Sequence, residues 1–305
     1  MTFFQALIIG IVQGLTEFIP VSSTAHLIFA SKALGLYGTS GAELQAEQTT
    51  ATIAVVQLGT LLAVFVYFAR DIWSITSAFV RDHVALLRGG GAAGGQGGGE
   101  GGWVARAWAA LSDEARLGWL VFLGSLPIGV VGLVFKDEIE GTFTKNLWVI
   151  ATMMIAVGLL LAVAEKVGAR RREMSELGLR DAAFVGFAQV LSLLPGASRS
   201  GSTIMGGLFA GETRETAARF SFLLSIPAIS ASGLLELGEA VEKLPAGSAL
   251  PLAVATVAAG VVGYLSIWFL LSFLRRRSTF AFIAYRVVVG LAILALLAAG
   301  QLKPV

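Results

Sequence analysis

Six long apolar runs dominate the chain, at 51–68, 117–135, 147–164, 220–238, 249–274 and 280–300. Each is near or above the roughly 20 residues that a helix needs to cross about 30 Å of hydrocarbon. In lipid, every backbone N–H and C=O must be satisfied within the chain, so such runs predict membrane-spanning helices. Two further apolar stretches, 3–36 and 182–211, are interrupted near the middle by Pro, Ser, Thr and Gly. Neither half of either stretch is comfortably long enough to span. Each therefore predicts a re-entrant helical hairpin whose broken backbone faces protein or a wet cavity rather than lipid. The expected fold is an all-α integral membrane protein with six transmembrane helices and two re-entrant hairpins.

Composition narrows the function classes. Of the 305 residues, 56% are hydrophobic and 14% charged, against about 25% charged in a typical soluble domain. A water-soluble globule is excluded, because its surface needs more charge. The net charge is +2 with no basic stripe, so nucleic acid is not an expected partner. There is no cysteine, which removes disulfides, thiolate nucleophiles and Cys-based zinc sites. His26 and His83 are the two histidines, so a three-His metal site is impossible. The MTFFQALIIG start has no basic n-region, and no cleaved signal peptide is expected.

Orientation follows from Lys and Arg. With the 51–68 span running inward, the arginine-rich segments from Arg70 to Arg116, from Lys166 to Arg219 and at Arg275, Arg276 and Arg277 fall inside. Lys32, Lys136, Lys145, Lys243 and Lys303 fall outside. This asymmetry favours both termini outside. Residues 89–102 (GGGAAGGQGGGEGG) read as a flexible cytoplasmic linker. It divides one membrane domain, 1–305, into a first half (1–88) and a second half (103–305).

The interrupted stretches resemble each other. GIVQGLTEFIPVSS starts at Gly10 and GFAQVLSLLPGAS at Gly186. Gly10, Gln13, Leu15 and Thr16 match Gly186, Gln189, Leu191 and Ser192. Pro20 and Ser23 then match Pro195 and Ser198 after a one-residue deletion. Three spans separate the hairpins, so the second enters from the opposite face. An inverted-topology repeat with interrupted helices points to a binding site between the halves.

Polar residues within the membrane are functional candidates by default. Gln13 and Glu17 are four apart and share a helix face. Past Pro20, Ser22, Ser23 and Thr24 can cap the next helix, with His26 in its first turn. The second stretch offers Pro195, Gly196, Ser198, Arg199, Ser200, Ser202 and Thr203. Small residues, hydroxyls and helix-start N–H groups form an anion cradle, and Arg199 presents a fork of donors suited to phosphate oxygens. Plain structural readings compete. The hydroxyls of Ser22, Thr24 and Ser202 can bond back to helix carbonyls. Glu17 and Arg199 can be an ion pair joining the repeats, and His26 a hydrogen-bonded core residue. His83 reads as solvated in a charged loop. Arg286 reads as structural, snorkelling or paired with Glu236, and Asp137 and Glu138 as outer-loop decoration.

QGLTEFIPVSSTAH (Gln13 to His26) and PGASRSGST (Pro195 to Thr203) resemble the two signature segments of the undecaprenyl-diphosphate phosphatase family, the bacitracin-resistance type of integral-membrane phosphatase. VVQLGTLLAVF and FSFLLSIPA also look like that family, and the likeness covers the chain apart from the Gly-rich insertion. The resemblance implies the same fold. It also implies hydrolysis of a polyprenyl diphosphate to monophosphate and phosphate at the outer face of the bacterial inner membrane, recycling the cell-wall lipid carrier. It implies a divalent cation, Mg2+ or Ca2+, with Gln13 and Glu17 as ligands, and a homodimer. Gln13 makes one carboxylate where two are allowed, so a cation would be held largely by the substrate.

On this reading Glu17, Ser23, His26 and Arg199 are catalytic. Ser22, Thr24, Gly196, Ser198, Arg199, Ser200 and Thr203 bind phosphate. His26, Ser23 and water all remain candidate nucleophiles. A transporter or flippase of a phosphorylated lipid would use the same cradle, and release of free phosphate in detergent discriminates the two.

Overall fold

The computed structural model describes residues 1–37, 42–88, 103–135, 146–245 and 247–304. Twelve α-helices follow one another there. They are α1 (Phe3–Phe18), α2 (Ser23–Ala33), α3 (Ala42–Tyr67), α4 (Ala69–Leu87), α5 (Trp103–Ala110), α6 (Asp113–Val134), α7 (Leu147–Val167), α8 (Leu179–Val190), α9 (Arg199–Phe209), α10 (Arg214–Lys243), α11 (Ala249–Leu274) and α12 (Phe280–Ala298). No strand occurs among the described residues, although Arg172 and Glu212 form an isolated bridge. Five helices are long and apolar enough to cross a bilayer: α3 through Glu47–Tyr67, α6, α7, α11 and α12. The run expected at 220–238 lies inside α10, one continuous helix of 30 residues. The chain is a multi-pass membrane protein.

Both interrupted stretches break where Pro, Ser and Gly predict. α1 ends two residues before Pro20, and α2 starts at Ser23. α8 passes into a 3-10 turn, Leu191–Leu193, and α9 starts after Pro195 and Gly196. The four helices have 16, 11, 12 and 11 residues, all short of a crossing. Ser22 stands before α2 with φ 78°, and Ser198 before α9 with φ 69°. L-residues other than Gly rarely enter this left-handed region. The two breaks therefore share one backbone device. They also correct the sequence pairing, because Ser198 holds the place of Ser22, not of Ser23.

Small residues set the helix spacing. Gly10 on α1 lies against the Ala255 carbonyl of α11, and Gly186 on α8 lies against the Gly124 carbonyl of α6. A Cβ at either would run into backbone. In lipid such close approach holds helices together, since surrounding tails are as apolar as the side chains. The central core joins Phe18, Phe68, Leu208, Phe222 and Leu270, with Phe18 and Phe222 edge to face at 5.4 Å. Buried Glu165 accepts hydrogen bonds from Arg170 (3.1 Å), Arg214 and the Thr279 hydroxyl (2.7 Å), tying the end of α7 to α10 and α12.

Past α9, Glu212 is fully buried and both its carboxyl oxygens lack a partner among the described residues. Burial pushes its carboxyl up to about 8; nearby Asp181 adds to the rise and Arg172 opposes it.

One rim expectation is overturned. His83 is not a solvated loop residue: it lies on α4, stacked on Phe79 at 4.1 Å, and its Nε2 accepts the Trp119 indole N–H at 3.1 Å. The reason is that α4 stays helical to Leu87 and packs on α6. Residues 89–102, Asp137 and Glu138 lie outside the described residues.

Candidate functional site

α1 ends by pointing Gln13 and Glu17 at the first break. Both are buried, at 1% and 6% exposure. The Gln13 amide donates to Glu17 Oε2 at 3.2 Å and to Thr60 Oγ1 of α3 at 3.5 Å. Glu17 Oε2 also accepts the Ser23 hydroxyl at 2.9 Å. Its other oxygen, Oε1, accepts from Arg199 Nη2 at 3.0 Å. One carboxylate thus binds a residue from each side of its own break and a cation from the other. Its buried charge is compensated, as an ion in a low-dielectric site must be.

Ser23 opens α2 and is half-buried, while Thr24 beside it is exposed. His26 Nδ1 lies 2.7 Å from the Ser22 carbonyl. A carbonyl only accepts, so Nδ1 carries the proton and Nε2 of the neutral ring is the acceptor. Nε2 receives the Tyr285 hydroxyl of α12 at 2.7 Å, and the rings stack at 5.6 Å. Sequence reasoning missed Tyr285, which carries no motif and sits in an otherwise ordinary span.

The second break is shaped by Gly196 at φ 92°, where a Cβ would meet the Ile150 carbonyl. Ser198 accepts the Gly201 N–H at 3.2 Å, capping α9, and lies 3.3 Å from the Ser200 hydroxyl. Ser200 is fully buried and reaches the Glu17 carbonyl at 3.5 Å. Thr203 is engaged inside the protein, donating to the Arg199 carbonyl at 2.8 Å and lying 2.5 Å from the Ser221 hydroxyl. The structure therefore gathers Gln13, Ser23 and Arg199 around the Glu17 carboxylate, with Ser200 on the Glu17 backbone carbonyl. Thr203 lies a turn further along α9, and Thr24 faces outward.

Arg286 has the structural role expected of it, but not by snorkelling. It neither snorkels nor lies at a surface: it is fully buried. Its guanidinium donates to the carbonyls of Pro20 (3.3 Å), Gly196 (3.0 Å), Ala197 (2.8 Å) and Met154 (3.1 Å). The physical reason is that a helix break frees carbonyls from their ladder, and arginine's fixed set of donors can satisfy several at once. The Glu236 side chain lies outside the described residues.

Six buried polar atoms around the two breaks have no partner among the described residues: Gln13 Oε1, Ser22 Oγ, Gln189 Oε1 and Nε2, Arg199 Nη1 and Ser202 Oγ. Leaving such a group unsatisfied costs about 1–3 kcal/mol. They are hydrogen-bonding capacity in reserve. Arg199 and the hydroxyls suit oxyanion oxygens, alongside the N-termini of α2 and α9. Gln13 Oε1 and the Glu17 carboxylate suit a hard cation that takes its other oxygens from a ligand. No group of three or more His, Cys, Asp or Glu that could by itself hold a metal ion occurs among the described residues. Chemically, the site pairs a hydroxyl with a carboxylate base beside an arginine.

A family model, that of the bacitracin resistance protein BacA, matches residues 6–292. The chain is 48% identical to the undecaprenyl-diphosphatase of Syntrophobacter fumaroxidans, over 96% of this chain and 97% of that protein. It is 44% identical to the undecaprenyl-diphosphatase of Chlorobaculum tepidum, over the whole of both chains. It is 45% identical to that of Nocardia farcinica, over 99% of this chain and 98% of the other.

Proposed function

The chain belongs to the bacitracin resistance protein BacA family, and on that premise we propose that it hydrolyses undecaprenyl diphosphate to the monophosphate and inorganic phosphate. The observation that carries the mechanism is Glu17, bonded at once to Ser23 and Arg199. Arg199 Nη1 and the Ser22 hydroxyl take oxygens of the terminal phosphoryl group. Those oxygens compete with Glu17 for the guanidinium. Glu17 then accepts the Ser23 proton while Ser23 Oγ attacks the terminal phosphorus in line. The bond from phosphorus to the bridging oxygen breaks, and the lipid leaves as its monophosphate. Water cleaves the Ser23–phosphate bond, Ser23 recovers its proton from Glu17, and phosphate departs. Arg199 stabilises charge on the equatorial oxygens throughout. Ser23 is preferred over His26 because His26 Nε2 faces the Tyr285 hydroxyl.

Gln13 and Glu17 would hold a Mg2+ or Ca2+ ion together with the diphosphate. Such a cation would neutralise phosphate charge there. Because the protein supplies few ligands, calcium titrated into the substrate-free enzyme should bind weakly; tight binding would sink this part of the reading.

The same proposal places six crossings and two re-entrant hairpins in an inverted repeat. Matched packing supports it: Gly10 of the first hairpin meets α11, which follows the second hairpin, and its counterpart Gly186 meets α6, which precedes that hairpin. The distribution of arginine supports an inner-membrane protein whose site opens outward.

The test is phosphate release by the purified protein in detergent, from a long polyprenyl diphosphate and from farnesyl diphosphate, with and without EDTA. Arg199→Ala should lower the rate by about 10²- to 10³-fold or more in a folded protein. Near-normal release by that variant would refute the phosphate clamp.

A further inference from the structure

α4 has two apolar faces, and the protein covers one of them. Ile75 and Phe79 pack over Gly118 of α6, and Ala78 is buried with Leu111 and Ala115. On the opposite face Trp73 is 76% exposed, Val80 56% and Leu87 88%, with Val84 exposed between them. At 3.6 residues per turn these four fall in one stripe about 60° wide. Arg70, Arg81 and Arg88, all exposed, line up together along one border of it. Arg81 touches the neighbouring Asp82 at 3.0 Å; Arg70 and Arg88 show no ion pair among the described residues.

The stripe begins where a membrane crossing ends. α4 opens two residues after Tyr67, the last residue of the α3 crossing, whose Leu62, Phe65 and Val66 are also exposed. The segment that follows, 89–102, offers no apolar side chain beyond Ala92 and Ala93. It has too little apolar surface to cover a tryptophan and a leucine.

We propose that this face of α4 binds anionic phospholipid headgroups on the arginine-rich side of the membrane. Trp73, Val80, Val84 and Leu87 enter the acyl boundary, and Arg70, Arg81 and Arg88 pair with lipid phosphates. An apolar stripe bordered by cations is the pattern of a helix held at a lipid interface. Each arginine near an anionic surface adds about fivefold to binding. The proposal stands apart from the hydrolytic site, and none of these residues touches it.

The test is amide exchange of the full chain in nanodiscs of phosphatidylcholine, alone or mixed with phosphatidylglycerol. Exchange across 69–88 should slow about tenfold or more in the anionic discs, and high salt should reverse the effect. The R70Q/R81Q/R88Q variant should lose the difference while releasing phosphate like the parent. R70K/R81K/R88K should keep it. Equal exchange in both lipids would overturn the proposal. So would protection that depends on protein copies per disc, since the face would then be covered by a second copy of the chain.

Discussion

The two helix breaks use one backbone solution and carry opposite chemistry. Each stops a short helix at a proline-containing turn, and each restarts after a serine held at positive φ. Aligned on those serines, Ser23 stands where Arg199 stands, and His26 where Ser202 stands. The first break supplies a hydroxyl beside a carboxylate; the second supplies a cation and small residues. Glu17 bonds across both, and Arg286 ties both backbones from beneath. The two breaks share freed backbone groups and a serine at positive φ, and differ in the side chains around them.

The sharpest way to break that comparison is to remove matched serines. Ser23→Ala should cost about 10³-fold or more in phosphate release, the loss expected for a nucleophile. Ser198→Ala removes an N-cap and should cost about 1 kcal/mol of stability with most activity kept. Equal losses in the two variants would return the first step to His26 or to water.

Next in size is the tie that both breaks share. Arg286→Met leaves carbonyls of both breaks unsatisfied and should destabilise the protein by about 3 kcal/mol or more, read as a lower Tm in detergent. Arg286→Lys should recover only part, because an ammonium cannot reproduce the fork of donors. An unchanged Tm in Arg286→Met would show that water satisfies those carbonyls equally well.

A pH dependence, read per pH unit, sharpens the contrast just past α9. Glu212 holds its proton up to about 8 when folded, against an ordinary 4.5. Between those values the folded state binds more protons than the unfolded one. Stability therefore falls as pH rises through the window, by up to about 1.4 kcal/mol per pH unit. Glu212→Gln should flatten that slope and raise Tm above pH 7. A slope that persists in the variant would assign it to another group.

The smallest change concerns Tyr285. Tyr285→Phe frees His26 Nε2 and should alter turnover by about tenfold at most, leaving the pH profile of kcat/KM unchanged. A shifted profile would bring His26 into proton transfer.

Much of this architecture was legible in advance, and for a physical reason. A bilayer offers no partner to backbone polar groups, so run length and the positions of Pro20, Pro195 and Gly196 predict where helices form and break. Glu17, Ser23 and Arg199 stood out because polar side chains are costly at that depth. What stayed hidden depends on neighbours distant in sequence. Arg286 read as structural, but its partners, the freed carbonyls of two breaks, could not be named from the sequence. Tyr285 had no motif to mark it, and His83 joined a loop on paper but a packed helix in space.

The amino-acid sequence by itself determined the membrane class, the two interrupted stretches and the residue types of the site, because hydrophobic length and buried polarity act locally along the chain. Only the tertiary structure decided that Ser22 rather than Ser23 is the counterpart of Ser198. It alone decided that one carboxylate serves both breaks, and that Arg286 satisfies what those breaks leave open. Those are contacts across as many as 266 positions, and no local periodicity encodes which freed carbonyl meets which distant donor.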